Sequence, residues 1–145
     1  MLSPSRYRIL TIGKIRKDWI RDGISLYLKR LPGLCITELR ESNPAKEADA
    51  IRKSLTKDEL LVVLDEKHST LSSFEFATNL KNFGSQRLAF VIGGAEGIDA
   101  EIKNISHWKL GLSSLTFPHE IACLLLIEQL YRAQSILQGS PYHRI

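Results

Sequence analysis

The chain has 145 residues, enough for one domain that buries most of its unfolded surface without disulfide or metal staples. Hydrophobic residues make up 43% and charged residues 25%, a globular balance that excludes a disordered chain, a fibrous repeat and a disulfide scaffold. Net charge is +4, and residues 1–40 carry nine Lys/Arg against three Asp/Glu, which suits a polyanionic partner such as nucleic acid and equally a solvated basic face.

In chain order, residues 6–13 are β-branched and apolar, end in Gly13 and predict a strand. Residues 16–31 place Ile20, Ile24, Tyr27, Leu28 and Leu31 at helical spacing, and Pro32-Gly33 ends that helix. Residues 34–39 alternate as a second strand. Pro44 opens a helix to about Lys57, because proline suits a first turn. Residues 60–65 (LLVVLD) form a short continuous apolar run, as a strand buried on both faces should. A helix over 69–82, a buried strand over 88–94 and a short helix over 98–106 follow. Residues 109–117 hold a last short strand and an irregular loop. Residues 118–137 form the longest helix, and 139–145 a tail that Gly139-Ser140-Pro141 sets outside the core.

Strands alternating with helices predict an α/β fold in a single domain, 1–145. Its sheet is mostly parallel, with helices on both faces. Ligands bind such sheets at the carboxyl ends of the strands. The strand-end segments 65–69, 93–97 and 112–119 are therefore the candidate site.

Each has a plain structural reading beside the functional one. Gly93-Gly94-Ala95-Glu96-Gly97 follows a buried strand. Glycines there admit a close ligand or positive φ, or simply make a tight turn. It is neither GxGxxG nor a P-loop. Residues 112–119 (LSSLTFPH) offer backbone groups and apolar walls to a flat heterocycle, or serve as a connector. Residues 121–127 are apolar nearly all round, which fits a core helix or a face covered by a second subunit. Pro141-Tyr142-His143-Arg144 gathers groups able to stack on a base, move a proton and hold phosphate, or else frays.

The histidines, at 68, 107, 119 and 143, form no HExxH, so no metal is expected. Ser113 and Ser114 sit in no GxSxG elbow. The longest apolar run is too short to cross a bilayer, so no membrane partner is expected. The first ten residues, MLSPSRYRIL, hold no apolar h-region, so no secretory signal is expected. Cys35 and Cys123 read as reduced core thiols of a cytoplasmic protein.

The motifs FVIGGAEG at 90–97, WKLGLSSLTFPH at 108–119, EQLYRAQSI at 128–136 and PYHR at 141–144 resemble, in order and spacing, one family. This is the bacterial ribosomal RNA large subunit methyltransferase H family, also called the YbeA family, of the SPOUT superfamily. The resemblance runs end to end, and LTIGK at 10–14 and YLKR at 27–30 fit as well. Ala95 stands where many members have proline, and the loop after Asp65 reads Glu66-Lys67-His68 in place of a glycine-containing turn.

The resemblance implies S-adenosylmethionine-dependent methylation of N3 of a pseudouridine in 23S ribosomal RNA, within the ribosome or the large subunit. It implies a homodimer, and a C-terminal half tied in a trefoil knot, against the general preference for unknotted connections. It places cofactor contacts on Leu64, Gly93, Leu112, Ser113, Ser114, Leu115, Thr116 and Phe117. His119 and His143 are the candidate bases, and Tyr142 and Arg144 the RNA-contacting or orienting groups. Two other classes stay open: an RNA- or ribosome-binding factor without turnover, and a nucleotide-dependent oxidoreductase, which the missing GxGxxG disfavours.

Overall fold

A computed structural model describes residues 2–144. Five strands, β1 (Tyr7–Ile12), β2 (Cys35–Leu39), β3 (Glu59–Leu64), β4 (Arg87–Ile92) and β5 (Trp108–Leu110), form one sheet in the order β2-β1-β4-β3-β5. Every pairing is parallel. Between them run the helices α1 (Asp18–Leu28), α2 (Pro44–Ser54), α3 (Ser73–Asn82) and α4 (Ala100–Ile105), and α5 (His119–Gln138) ends the regular structure. The mostly parallel α/β sheet read from the sequence is therefore parallel throughout.

The two faces are covered separately. Ile9, Val62, Leu88, Phe90 and Leu110 face Ile20 and Ile24 of α1, Phe76 and Leu80 of α3, and Cys123, Leu126, Ile127 and Leu130 of α5. Leu10, Ile12, Leu61, Val63, Ala89 and Val91 face Ala48 and Ile51 of α2 and Ile102 of α4. The central strands are apolar on both sides because both sides are covered.

Local chemistry sets the helix starts. The Asn43 side chain accepts from Lys46 N at 2.9 Å, with Pro44 in the first turn of α2. Ser72 and Glu75 form a capping box on α3. The predicted helix over 69–82 is thus too long by one turn. Residues 69–72 instead lie outside the helix, with Ser72 extended and Thr70 bridging Gly111 in parallel. That approach is close: a Cβ on Gly111 would lie 2.6 Å from the His68 carbonyl oxygen. The α5 helix ends on Gly139 at φ 72°, a left-handed cap suited to glycine.

One thiol is not in the core. Cys35 opens an edge strand and is exposed, whereas Cys123 is buried, and burial pushes its thiol up to about 12.

Candidate functional site

Three neighbouring strands, β4, β3 and β5, end side by side. Leu64 closes β3, Gly93 follows β4, and residues 112–117 follow β5 after Gly111. The fold thus brings all eight predicted cofactor residues to one edge. Leu64, Gly93, Leu112, Ser113 and Phe117 are half-buried, and Ser114, Leu115 and Thr116 are exposed, Leu115 at 69%.

The glycine turn is built by contact. Gly97 N–H donates to Gly94 O at 3.0 Å, and Gly97 takes the positive φ of 81°. Gly93 does not have a positive φ. Its need for glycine is steric, since a Cβ would lie 2.7 Å from Ile98 Cγ1 and 3.1 Å from the Gly97 carbonyl carbon. On the neighbouring strand end, Asp65 Oδ1 accepts from Lys67 N at 3.1 Å and Oδ2 lies 3.7 Å from Lys103 Nζ.

The 112–117 loop leaves its backbone unspent. Leu115 N–H donates to Ser113 Oγ at 3.0 Å. Among the described residues, no backbone–backbone hydrogen bond engages 112–117. Apart from the Leu115 N–H, the backbone groups of this stretch stand beside apolar side chains and suit a flat heterocycle, and it holds no phosphate cradle. The adenosyl group of a sulfonium cofactor fits such a donor set.

From β5 the loop crosses the sheet edge to the far side of β4. His119 Nε2 lies 3.3 Å from Lys14 O, just past β1. Three strand spacings amount to about 15 Å, within reach of seven extended residues. His119 therefore sits at the end of β1, set off from Leu64. Because a carbonyl only accepts, that contact puts a proton on His119 Nε2. Beside it the buried Glu120 Oε1 accepts from Arg16 N at 2.8 Å and Lys17 N at 3.0 Å. Those backbone bonds, Lys17 N–H first, hold its carboxyl below the ordinary glutamate range against the opposing effect of desolvation.

The turn so held is basic. Lys14, Arg16, Lys17 and Arg21 are exposed, with Trp19 among them at 60%. Among the described residues none of these four cations is in an ion pair, whereas Arg8 is spent on Glu59 at 2.6 Å.

The tail departs from expectation. Its described residues, to Arg144, turn back along α5, where Tyr142 and His143 pack. Tyr142 Oη donates to Glu128 Oε2 at 2.8 Å and lies 3.3 Å from Tyr27 Oη. Its ring meets Tyr131 edge-on at 4.7 Å, and the Arg132 guanidinium lies 4.8 Å from its centroid. Burial, then its hydrogen bonds, raise the Tyr142 phenol, which stays a donor. His143 is half-buried, with Nδ1 3.1 Å from Arg132 Nη1 and its ring edge-to-face on Phe74 at 4.7 Å. Arg144 is exposed. Tyr142 and His143 thus share a network with each other, and His119 is not part of it.

Three contributors escaped the sequence reading: Glu120, Glu128 and Arg132. The last two stand four apart on one helix, acid before base, an ion-pair spacing visible in EQLYR.

Among the described residues no cluster of His, Cys, Asp or Glu has metal-binding geometry, and no helix is long and apolar enough to cross a membrane.

Comparison with known proteins adds a family. The family model for predicted SPOUT methyltransferases matches residues 5–143. The chain is 64% identical, over 99% of both chains, to Ribosomal RNA large subunit methyltransferase H of Synechococcus sp. (strain CC9311). It is 60% identical, again over 99% of both, to the protein of that name from Prochlorococcus marinus (strain MIT 9211). In fold it matches a "probable methylase family protein from Haemophilus influenzae Rd KW20", with a TM-score of 0.62 at 13% identity over 98% of this chain and 72% of that one. It also matches the A. aeolicus TrmH/SpoU tRNA modifying enzyme, with a TM-score of 0.52 at 10% identity over 93% and 78%. With a family model matched almost end to end and relatives of the same length at such identity, the chain belongs to the ribosomal RNA large subunit methyltransferase H family of SPOUT methyltransferases.

Proposed function

We propose that the chain methylates N3 of a pseudouridine in 23S ribosomal RNA, in the ribosome or large subunit, with S-adenosylmethionine as donor. The observation that carries this reading is the convergence of Leu64, Gly93 and the unspent backbone of 112–117 on adjacent strand ends, in a chain 64% identical to a methyltransferase of that name. The bound cofactor supplies a methyl carbon already activated by its sulfonium.

The chain's own work is then positioning and proton management. The loop 112–117 and the Gly93 turn hold the adenosyl group, while Lys14, Arg16, Lys17 and Arg144 hold phosphates. With the donor bound, these residues would hold N3 in line with the methyl carbon while its proton passes to solvent. Alignment of N3 supplies much of the acceleration.

The reading includes a homodimer, supported by the half-buried Ile121, Ala122, Leu124 and Leu125 on α5. It includes the trefoil knot, supported by the close passage of residues 68–70 over Gly111 ahead of α5. It places the protein in the cytoplasm, where ribosomes are.

Calorimetric titration with S-adenosylmethionine and, separately, NADH tests the donor. Saturable binding of the first alone supports the reading. Binding of neither favours a factor without turnover, and binding of NADH alone favours a redox enzyme.

A further inference from the structure

We infer that His143 serves methyl transfer as a hydrogen-bond donor through Nε2, and that Arg132 is the positioning residue that fixes it in that form. The donor role rests on the reaction proposed above; the fixed form rests on geometry alone.

Arg132 Nη1 lies 3.1 Å from His143 Nδ1. A guanidinium carries five N–H groups, no acceptor and a permanent charge. The contact is a hydrogen bond only if Nδ1 offers a lone pair. An N–H at Nδ1 would set two donors and a positive charge against each other. With Nδ1 accepting, the neutral ring carries its proton on Nε2.

The guanidinium is not free to turn away. Glu128 Oε2 takes Arg132 Nη2 at 2.7 Å, one helical turn back. The Tyr142 ring lies 4.8 Å from the guanidinium carbon, and Tyr142 in turn donates to the same carboxylate oxygen at 2.8 Å. Phe74 stands edge-to-face on the imidazole, at 88°. The ring is held on its Nδ1 side, and among the described residues Nε2–H has no protein partner.

This arrangement bears on chemistry. A general base needs an available lone pair, and the lone pair of His143 is spent on Arg132. The N–H is what remains to offer. N3 of the pyrimidine ring lies between two carbonyls, and when its proton leaves to solvent the negative charge spreads onto both oxygens. A donor fixed at one of them stabilises that charge as it develops. The N3 pair then forms the bond to the methyl carbon, and the carbon–sulfur pair goes to sulfur. His143 gives up no proton and takes none.

The tautomer is read by long-range 1H–15N correlation on protein labelled at histidine nitrogen, at about pH 8, above the ordinary histidine range. The His143 signals are those missing in H143Q. We expect a lone-pair shift at Nδ1 and a protonated Nε2 in the wild type, and a mixture of tautomers in R132M. A wild-type Nδ1–H form, or protons on both nitrogens, overturns the inference.

Kinetics on intact ribosomes test the donor role. Glutamine places its amide N–H near the position of Nε2, and asparagine does not. H143Q is expected to keep about a tenth of the turnover. H143A and H143N are expected to lose on the order of 10²–10³ in kcat, the cost of one such donor, with KM little changed. Equal loss in H143Q and H143A, with melting curves unchanged, overturns the donor role. Absence of transfer by the wild type overturns the proposed reaction itself, while the spectrum still decides the tautomer.

Discussion

Glu120 accepts the backbone N–H of Arg16 at 2.8 Å, and by this bond the first turn of α5 holds the basic turn that leads into α1. The residue before α1, Lys17, supplies no side-chain cap of its own. Glu120 does that work from more than a hundred positions away in the chain. The same turn of α5 follows the 112–117 loop, so one carboxylate ties the basic turn to the segment that leaves β5.

Glu120→Ala removes the charged acceptor of two part-buried backbone N–H groups and should cost ~1–3 kcal/mol in a denaturant melt. Acid should act through the same bond. The folded carboxyl titrates below the ordinary glutamate value, so its stabilisation is complete above that value and is lost as pH falls through the folded one. In Glu120→Gln the part of the stability loss below about pH 4 that belongs to this group should vanish.

Gly93→Val should abolish S-adenosylmethionine binding in a calorimetric titration. The new Cβ would lie 2.7 Å from Ile98 Cγ1 and press on Gly97 backbone, so the turn must move. Overpacking of this kind costs ~1–3 kcal/mol, and a lowered melting temperature should accompany the loss of binding.

Deleting residues 142–145 removes the Tyr142–Glu128 bond, the edge-on contact with Tyr131 and the His143 contacts. A melting shift equivalent to ~1–2 kcal/mol is expected, together with a fall in methyl transfer of at least 10² and nearly unchanged cofactor affinity. Arg144→Ala should weaken RNA binding and lower the salt slope by about one, as loss of a phosphate contact does.

Leu125→Glu should convert a sedimenting dimer to monomer. Leu125 is half-buried beside the equally half-buried Ile121 and Leu124, a face that a second copy would cover. A wild-type protein that sediments as a monomer at micromolar concentration would contradict the proposed dimer.

Among the described residues the five strands and five α-helices were legible, because buried parallel strands read as apolar runs and amphipathic helices as periodic ones, whereas the short 3-10 turn at Pro4–Arg6 was not. The errors arose where non-local contacts decide. Residues 69–72 look like a helix start, yet Thr70 is drawn to Gly111 forty residues on, and the true start was readable in the Ser72…Glu75 capping box. Cys35 has core composition, but its strand lies on the sheet edge. The tail resembles a free end after Gly139-Ser140-Pro141. Its partners, Glu128, Tyr131 and Arg132, lie up to four turns back on α5, and Tyr27 lies on α1. The residues proposed for the cofactor share one edge because strand ends are fixed by topology. Residues 112–119 read as one segment, yet the loop starts at the end of β5 and carries His119 to the end of β1, beside the β4 end that Gly93 follows.

The most direct test is to incubate the protein with intact ribosomes, free large subunits and naked 23S RNA, each with methyl-labelled S-adenosylmethionine, and to map the product by nuclease digestion and mass spectrometry. The account predicts one added methyl on N3 of a single pseudouridine, in assembled particles in preference to naked RNA. Label on any other atom or nucleotide, or no label with a demonstrably bound cofactor, would contradict it.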